Sequence, residues 1–210
     1  MIHRRTALSA LVAFSLLAAC GDSPVKGRTV PTGATVLALG DSLTAGVGAG
    51  KGEDWPSLLA DLTQWNVVNA GVSGDTSAQG LERLPALLEQ HSPNLVIIGL
   101  GGNDFLHRQS AQATQDNLSQ AIALVKAQGA QVVLQAIPQP SLMAAAGATA
   151  QDHPLYATLA KQHQVPLIEG LWGPILAQDH LRADQVHANA QGYAAFAKAQ
   201  RQALQQLGLI

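Results

Sequence analysis

The sequence predicts an α/β protein, a three-layer α/β/α sandwich around a central five-stranded parallel sheet. Three observations point there. Short Val/Leu/Ile-rich runs alternate with longer helix-like segments. Most of the runs lack the apolar–polar alternation of a half-exposed sheet, which suits strands buried on both faces. The 210 residues, 47% of them apolar, suffice for one globular domain with a large core. The order βαβαβα implies right-handed crossovers.

The strands are expected at 35–39, 66–69, 95–100, 131–135 and 165–168, each short and rich in Val, Leu and Ile. Helices are expected between and after them, at 54–63, 77–90, 110–128, 154–163 and 190–207. Asp54 and Asp152 stand where N-caps belong, and Gly129 where a helix stops. The last helix carries an apolar stripe of Ala194, Phe196, Ala197, Leu204 and Leu207, a packing face. Residues 138–153, with Pro138, Pro140 and Gly147, form the one long irregular stretch and a lid candidate. There is no internal repeat and no second domain.

The N-terminus has a separate logic. His3-Arg4-Arg5 is a basic start, and Ala7 to Ala19 is apolar except for Ser9 and Ser15. Thirteen residues are too few to span a bilayer and fit the apolar region of a secretory signal. The run ends in Leu17-Ala18-Ala19-Cys20, which resembles the lipobox of bacterial lipoproteins. That resemblance implies a signal peptide over 1–19, lipidation of Cys20, and a membrane-anchored protein of the bacterial periplasm, with the outer membrane favoured. Cys20 is the only cysteine, so no disulfide forms within one chain. Residues 20–33, with Ser, Pro and Gly, read as a flexible tether, and 34–210 as the domain. Removing 1–19 takes away Arg4 and Arg5 and no acid, so the net charge moves from −2 to −4. No basic patch remains to hold nucleic acid.

Ligands of open parallel sheets bind beyond the carboxyl ends of the strands. Three polar blocks fall there, and a fourth follows near the C-terminus. Gly40-Asp41-Ser42-Leu43 follows the first strand and places a serine on a tight turn, a candidate nucleophile. Asn69-Ala70-Gly71-Val72-Ser73-Gly74 follows the second; a glycine there allows positive φ or close approach of backbone to a ligand. Gly99-Leu100-Gly101-Gly102-Asn103-Asp104 follows the third, and the Asn103 amide could donate to a developing oxyanion. Asp184-Gln185-Val186-His187 precedes the last helix; a carboxylate at 184 can hold Nδ1 of His187 and leave Nε2 for Ser42. Each block alone reads more readily as an ordinary turn or loop. Ser42 lacks the Gly-x-Ser-x-Gly elbow of the α/β-hydrolases.

Together, Gly-Asp-Ser-Leu, Asn-x-Gly-x-x-Gly, Gly-x-Asn-Asp and Asp-x-x-His resemble the four blocks of the SGNH (GDSL-type) hydrolases, from Val36 to about Phe196. The similarity is greatest to the bacterial thioesterase I / protease I / lysophospholipase L1 group, through Trp55-Pro56, Ser73-Gly74-Asp75-Thr76-Ser77 and Arg83-Leu84-Pro85 among others. The resemblance implies the flavodoxin-like SGNH fold. It implies Ser42 as nucleophile and first oxyanion donor, Gly74 and Asn103 as the second and third, His187 as base and Asp184 as its orienting partner. The expected activity is hydrolysis of carboxylic esters, short-to-medium acyl or aryl, with lysophospholipids second. A thioesterase, a glycan O-acetylesterase and a non-catalytic lipid- or glycan-binding lipoprotein are the alternatives. A monomer without cofactor is expected.

Two positions depart from the family pattern. Ala188 replaces the usual proline after the histidine, which loosens that loop. Phe105 puts a bulky ring where the related group shapes its acyl pocket. His91, His107, His153 and His163 have no metal-ligand spacing. Gly46, Gly48, Gly50 and Gly52 alternate without a Walker Lys-Ser/Thr, so they read as a loop bordering the site.

Overall fold

The computed structural model describes residues 24–139 and 149–210. Cys20 and positions 140–148 of the expected lid lie outside the described residues. Five parallel strands form one sheet in the order β2-β1-β3-β4-β5. They are β1 Thr35–Gly40, β2 Asn66–Gly71, β3 Leu95–Gly99, β4 Gln131–Gln135 and β5 Leu167–Ile168. All five residues of β3 are buried, as befits a central strand covered on both faces. β2 is an edge strand, which is why Asn66 and Asn69 are tolerated and exposed in it.

The long helices are α2 Trp55–Thr63, α3 Ser77–His91, α5 Ala111–Ala127, α6 Leu155–His163 and α8 Ala190–Gln206. α2 packs on α8, and α3 packs on α5, which packs on α6. These are the two outer layers. Asp54 caps α2 by accepting from the Ser57 N–H, and Thr76 caps α3 in a reciprocal box with Gln79. α3 continues through Pro85. An aromatic wedge joins α8 to its neighbours. Phe196 stacks on Trp172 with ring centroids 3.7 Å apart and lies 5.7 Å from Trp55.

Several details differ from the sequence reading. α1 Ser42–Ala45, α4 Gly102–Leu106, α7 Trp172–Leu176 and a 3₁₀ turn at Asp179–Leu181 were not expected. Asp152 does not cap α6. Pro154 occupies that position, and Asp152 instead accepts from the Gly170 N–H at 2.6 Å. β5 is two residues long because Pro166, lacking an N–H, precedes it. The expected tether is also too long. Gly27 N–H donates to Leu207 C=O at 2.8 Å, Val30 N–H to Leu209 C=O at 2.9 Å, and Val30 is buried. Backbone pairing with the C-terminus therefore begins at Gly27. No helix among the described residues is long and apolar enough to cross a membrane.

Candidate active site

The ends of β1, β2 and β3 carry the first three blocks. β1 ends at Gly40, and the chain turns at once into α1. Asp41 caps that helix by accepting from the Leu43 N–H at 3.0 Å. Gly40 must be glycine, since a Cβ there would stand 2.0 Å from Thr44 Oγ1. Ser42 is the first residue of α1, where a backbone N–H has no intrahelical acceptor.

The two glycines of the second block have different tasks. A Cβ on Gly71 would lie 2.2 Å from the Ala45 nitrogen, so this glycine lets β2 pass close under α1. Gly74 has φ +88° and nothing within 4 Å of a would-be Cβ, so it sits at an open corner of the loop. Arg83 holds that loop. Its Nε donates to Asp75 Oδ2 at 2.7 Å, and its Nη2 donates to Gly40 C=O at 2.9 Å. One guanidinium thus ties the Gly74 loop to the strand end that carries Ser42.

In the third block Gly101, not Asn103, takes the left-handed conformation, with φ +119°. Asn103 lies on α4. Its Nδ2 donates to Asp75 C=O at 2.9 Å, which fixes the amide plane, and makes only a long 3.4 Å contact with Asp41 Oδ2. Asp104 is fully buried and ties α4 to its neighbours. It accepts from Ser77 N–H at 2.8 Å, Ser77 Oγ–H at 2.5 Å and Thr114 Oγ1–H at 3.2 Å. Tyr156 O–H donates to Leu100 C=O at 2.7 Å, holding the same turn from α6.

The fourth block closes over Ser42. His187 Nε2 is 2.9 Å from Ser42 Oγ, and His187 Nδ1 is 2.7 Å from Asp184 Oδ2. Asp184 Oδ1 accepts from the N–H groups of Val186 and His187, both at 2.8 Å. Partial burial pushes the Asp184 carboxyl up, but the hydrogen bonds from the His187 side chain and from these two amides outweigh it. Its pKa is held below the ordinary aspartate value. The loop around Ala188 is held without proline. Ala183 N–H donates to His187 C=O at 2.9 Å, and Asn189 N–H to Leu181 C=O at 3.0 Å. The glycine loop lies against it. A Cβ on Gly48 would meet Ala188 C=O at 2.4 Å, and Tyr193 O–H donates to Val47 C=O at 2.8 Å.

Of the site residues singled out by the sequence, Ser42, His187 and Asp184 are joined in one relay, and Asn103 is joined through Asp75 C=O to the loop of Gly74, while Cys20 lies outside the described residues. Asp41 and Arg83 were not singled out for roles of their own. An acid beside a nucleophile and a basic residue in the quoted third-helix segment were the available signals. Phe105 stacks on His153 with centroids 4.4 Å apart, and His153 is pushed below the ordinary histidine pKa by burial. Among the described residues no group of three or more His, Cys, Asp or Glu could hold a metal ion.

Residues 38–195 match the GDSL-like lipase/acylhydrolase family model. The chain belongs to that family. Membership in a lipase/acylhydrolase family, with a Ser–His–Asp relay at the strand ends, makes it a serine esterase. The chain is 42% identical over 158 residues to thioesterase 1/protease 1/lysophospholipase L1 of Escherichia coli K12, covering 74% of this chain and 76% of that one. It is 39% identical over 168 residues to an arylesterase of Vibrio mimicus, covering 77% and 78%. Among solved structures it is similar to the psychrotrophic esterase EstA of a Pseudoalteromonas species inhibited by monoethylphosphonate. The TM-score is 0.71 at 27% identity, covering 82% of this chain and 97% of that one.

Proposed function

We propose that Ser42 attacks the carbonyl of a short-to-medium acyl or aryl ester, with lysophospholipids as a second substrate class. The unbroken relay from Asp184 through His187 to Ser42, at 2.7 and 2.9 Å, carries this reading. Ser42 Oγ bonds to the carbonyl carbon while His187 Nε2 takes its proton. The carbonyl oxygen becomes an oxyanion held by the N–H groups of Ser42 and Gly74 and by the second amide N–H of Asn103. The intermediate then collapses, the bond to the alcohol oxygen breaks, and His187 returns the proton to the leaving alcohol. Water repeats the sequence on the acyl-serine and releases the acid. Asp184 keeps His187 in the tautomer with its proton on Nδ1, since Oδ2 can only accept when ionised.

The basic start, apolar run and Leu-Ala-Ala-Cys end support export to the periplasm and lipidation at Cys20, which holds the protein on a membrane, the outer membrane favoured. Oxygen esters fit that compartment better than cytosolic acyl-coenzyme A thioesters. Hydrolysis of a chromogenic aryl ester by Ser42→Ala and by His187→Ala tests the catalytic assignment. Each variant is expected to lose roughly 10⁴-fold or more in turnover while still folding. Wild-type rates in either one would end the assignment.

A further inference from the structure

The end of the sheet opposite Ser42 has its own character. There the docked N-terminal segment meets the start of β4. Arg28 N–H donates to Gln131 Oε1 at 2.7 Å, and Gln131 Nε2 donates back to Arg28 C=O at 2.9 Å. Beside this pair lies a cleft of about 480 Å³ whose charged lining residues are Lys26, Arg28 and Lys126, with no acid among the residues that line it. All three cations are exposed. Lys26 and Lys126 also donate to the carbonyls of Gln206 and His163, both at 2.5 Å, which anchors the ammonium groups at this end and leaves their charge. Arg201, donating to Leu62 C=O at 3.2 Å, adds a fourth cation near the last turn of α2. Asp61 and Glu89 are the acids of the helix ends on this side. Asp41, Asp54, Asp75, Asp104 and Asp184 lie toward the other end, in the caps and loops beyond the strand ends and in the relay itself. A protein of net negative charge therefore presents a cationic base.

Chain length adds a second constraint. From Cys20 to the first docked residue, Gly27, seven residues reach at most about 25 Å when fully extended. A domain of this size is about 40 Å across, and β1 alone separates base from mouth by about 20 Å. An anchor at Cys20 favours the base at the leaflet, because laying the mouth at Ser42 flat on it would lift the base by about 20–40 Å and demand a chain stretched to its limit.

We propose that this base docks on an anionic bilayer surface, with Lys26, Arg28 and Lys126 on the headgroup phosphates and the mouth at Ser42 turned toward water. The proposal rests on the reading of Cys20 as lipidated. Three cations bind anionic headgroups weakly when the protein is free, but the anchor supplies a high effective concentration and the charge then sets the orientation. The substrate class follows. The enzyme takes esters that arrive dissolved in water, including monomeric lysolipids, rather than lipids resident in its own leaflet.

Energy transfer from the full, acylated chain to a headgroup-labelled acceptor tests this on vesicles of phosphatidylcholine with phosphatidylglycerol. One fluorophore is placed beside the cleft, next to Gly129 of its lining, through Gln128→Cys and, in a separate protein, one near the mouth through Val72→Cys. Acylated Cys20 leaves the introduced cysteine as the free thiol. Transfer should be stronger from 128 than from 72. Salt, omission of phosphatidylglycerol, or the triple change Lys26→Gln, Arg28→Gln, Lys126→Gln should narrow the difference. The triple variant should keep wild-type turnover of a water-soluble aryl ester. Equal transfer, or stronger transfer from 72, in protein whose mass shows the acyl chain would overturn the orientation alone. A mass without the acyl chain would overturn the anchor and the orientation with it.

Discussion

Asp41 stands one residue before Ser42 with only 3% of its surface exposed. Burial pushes its carboxyl up to about 6, against the pull of the Leu43 N–H and of nearby His187. In the unfolded chain the same group titrates at 3.8. Between these values the folded protein binds a proton that the unfolded chain has released, so folding stability falls as pH rises. The contribution is whole below pH 3.8 and lost once the pH passes about 6; the difference of about two pKa units is worth roughly 3 kcal/mol. Asparagine keeps an oxygen for the Leu43 N–H and carries no charge at any of these pH values. The stability of Asp41→Asn relative to wild type should therefore rise by about 2–3 kcal/mol between pH 4 and 7 in urea unfolding. Parallel pH profiles for the two proteins would show that Asp41 ionises without cost.

At the scale of elements, the arrangement depends on three strand ends being held in register, and Arg83 is the brace between two of them. It spans Asp75 on the loop of Gly74 and Gly40 before the nucleophile turn. Removing the guanidinium should let the Gly74 N–H drift relative to Ser42, and misplacement on the order of 1 Å can cost about 10²-fold in rate. Arg83→Met should thus lower kcat by roughly ten-fold or more with KM little changed, and Arg83→Lys should recover only part, because one ammonium cannot make both bonds. If turnover per folded molecule stays at the wild-type value while Tm drops, Arg83 only stabilises the fold. The sequence made the strands and the long helices legible because continuous Val/Leu/Ile runs and capped periodic segments are local signals. It did not reveal α4. Gly101-Gly102 reads as a turn, and only the positive φ of Gly101 lets a helix start at Gly102 and carry Asn103 instead of leaving Asn103 in that turn. Arg83 was illegible as a brace because its partners lie eight and forty-three residues away.

For the whole molecule, the blocks of Ser42, Gly74 and Asn103 were legible because they follow strand ends, where parallel-sheet topology gathers polar residues, and Asp184 and His187 because they stand three apart just before the last helix. The start of the domain was not. Gly27 to Val30 has no hydrophobic period, and it pairs through backbone groups with residues some 180 positions away, to which composition is blind. Its most consequential contact is with Trp65, whose buried indole Nε1–H donates to Val30 C=O at 3.1 Å. Cutting the chain at Ala34, the boundary that composition suggests, would strand that donor and expose the pocket of Val30. A buried donor left without a partner costs about 1–3 kcal/mol, and losing the Val30 side chain from the core costs about 1.5 kcal/mol more. The conformational freedom regained by a few residues offsets part of this, so a net loss of about 2 kcal/mol is expected, or a fall of roughly 4–8 °C in Tm for a domain of this size. A chain beginning at Lys26 should melt with the longer forms. Thermal unfolding followed by tryptophan fluorescence compares the two starts directly, and identical midpoints would mean that the Gly27–Val30 segment lies on the domain without stabilising it.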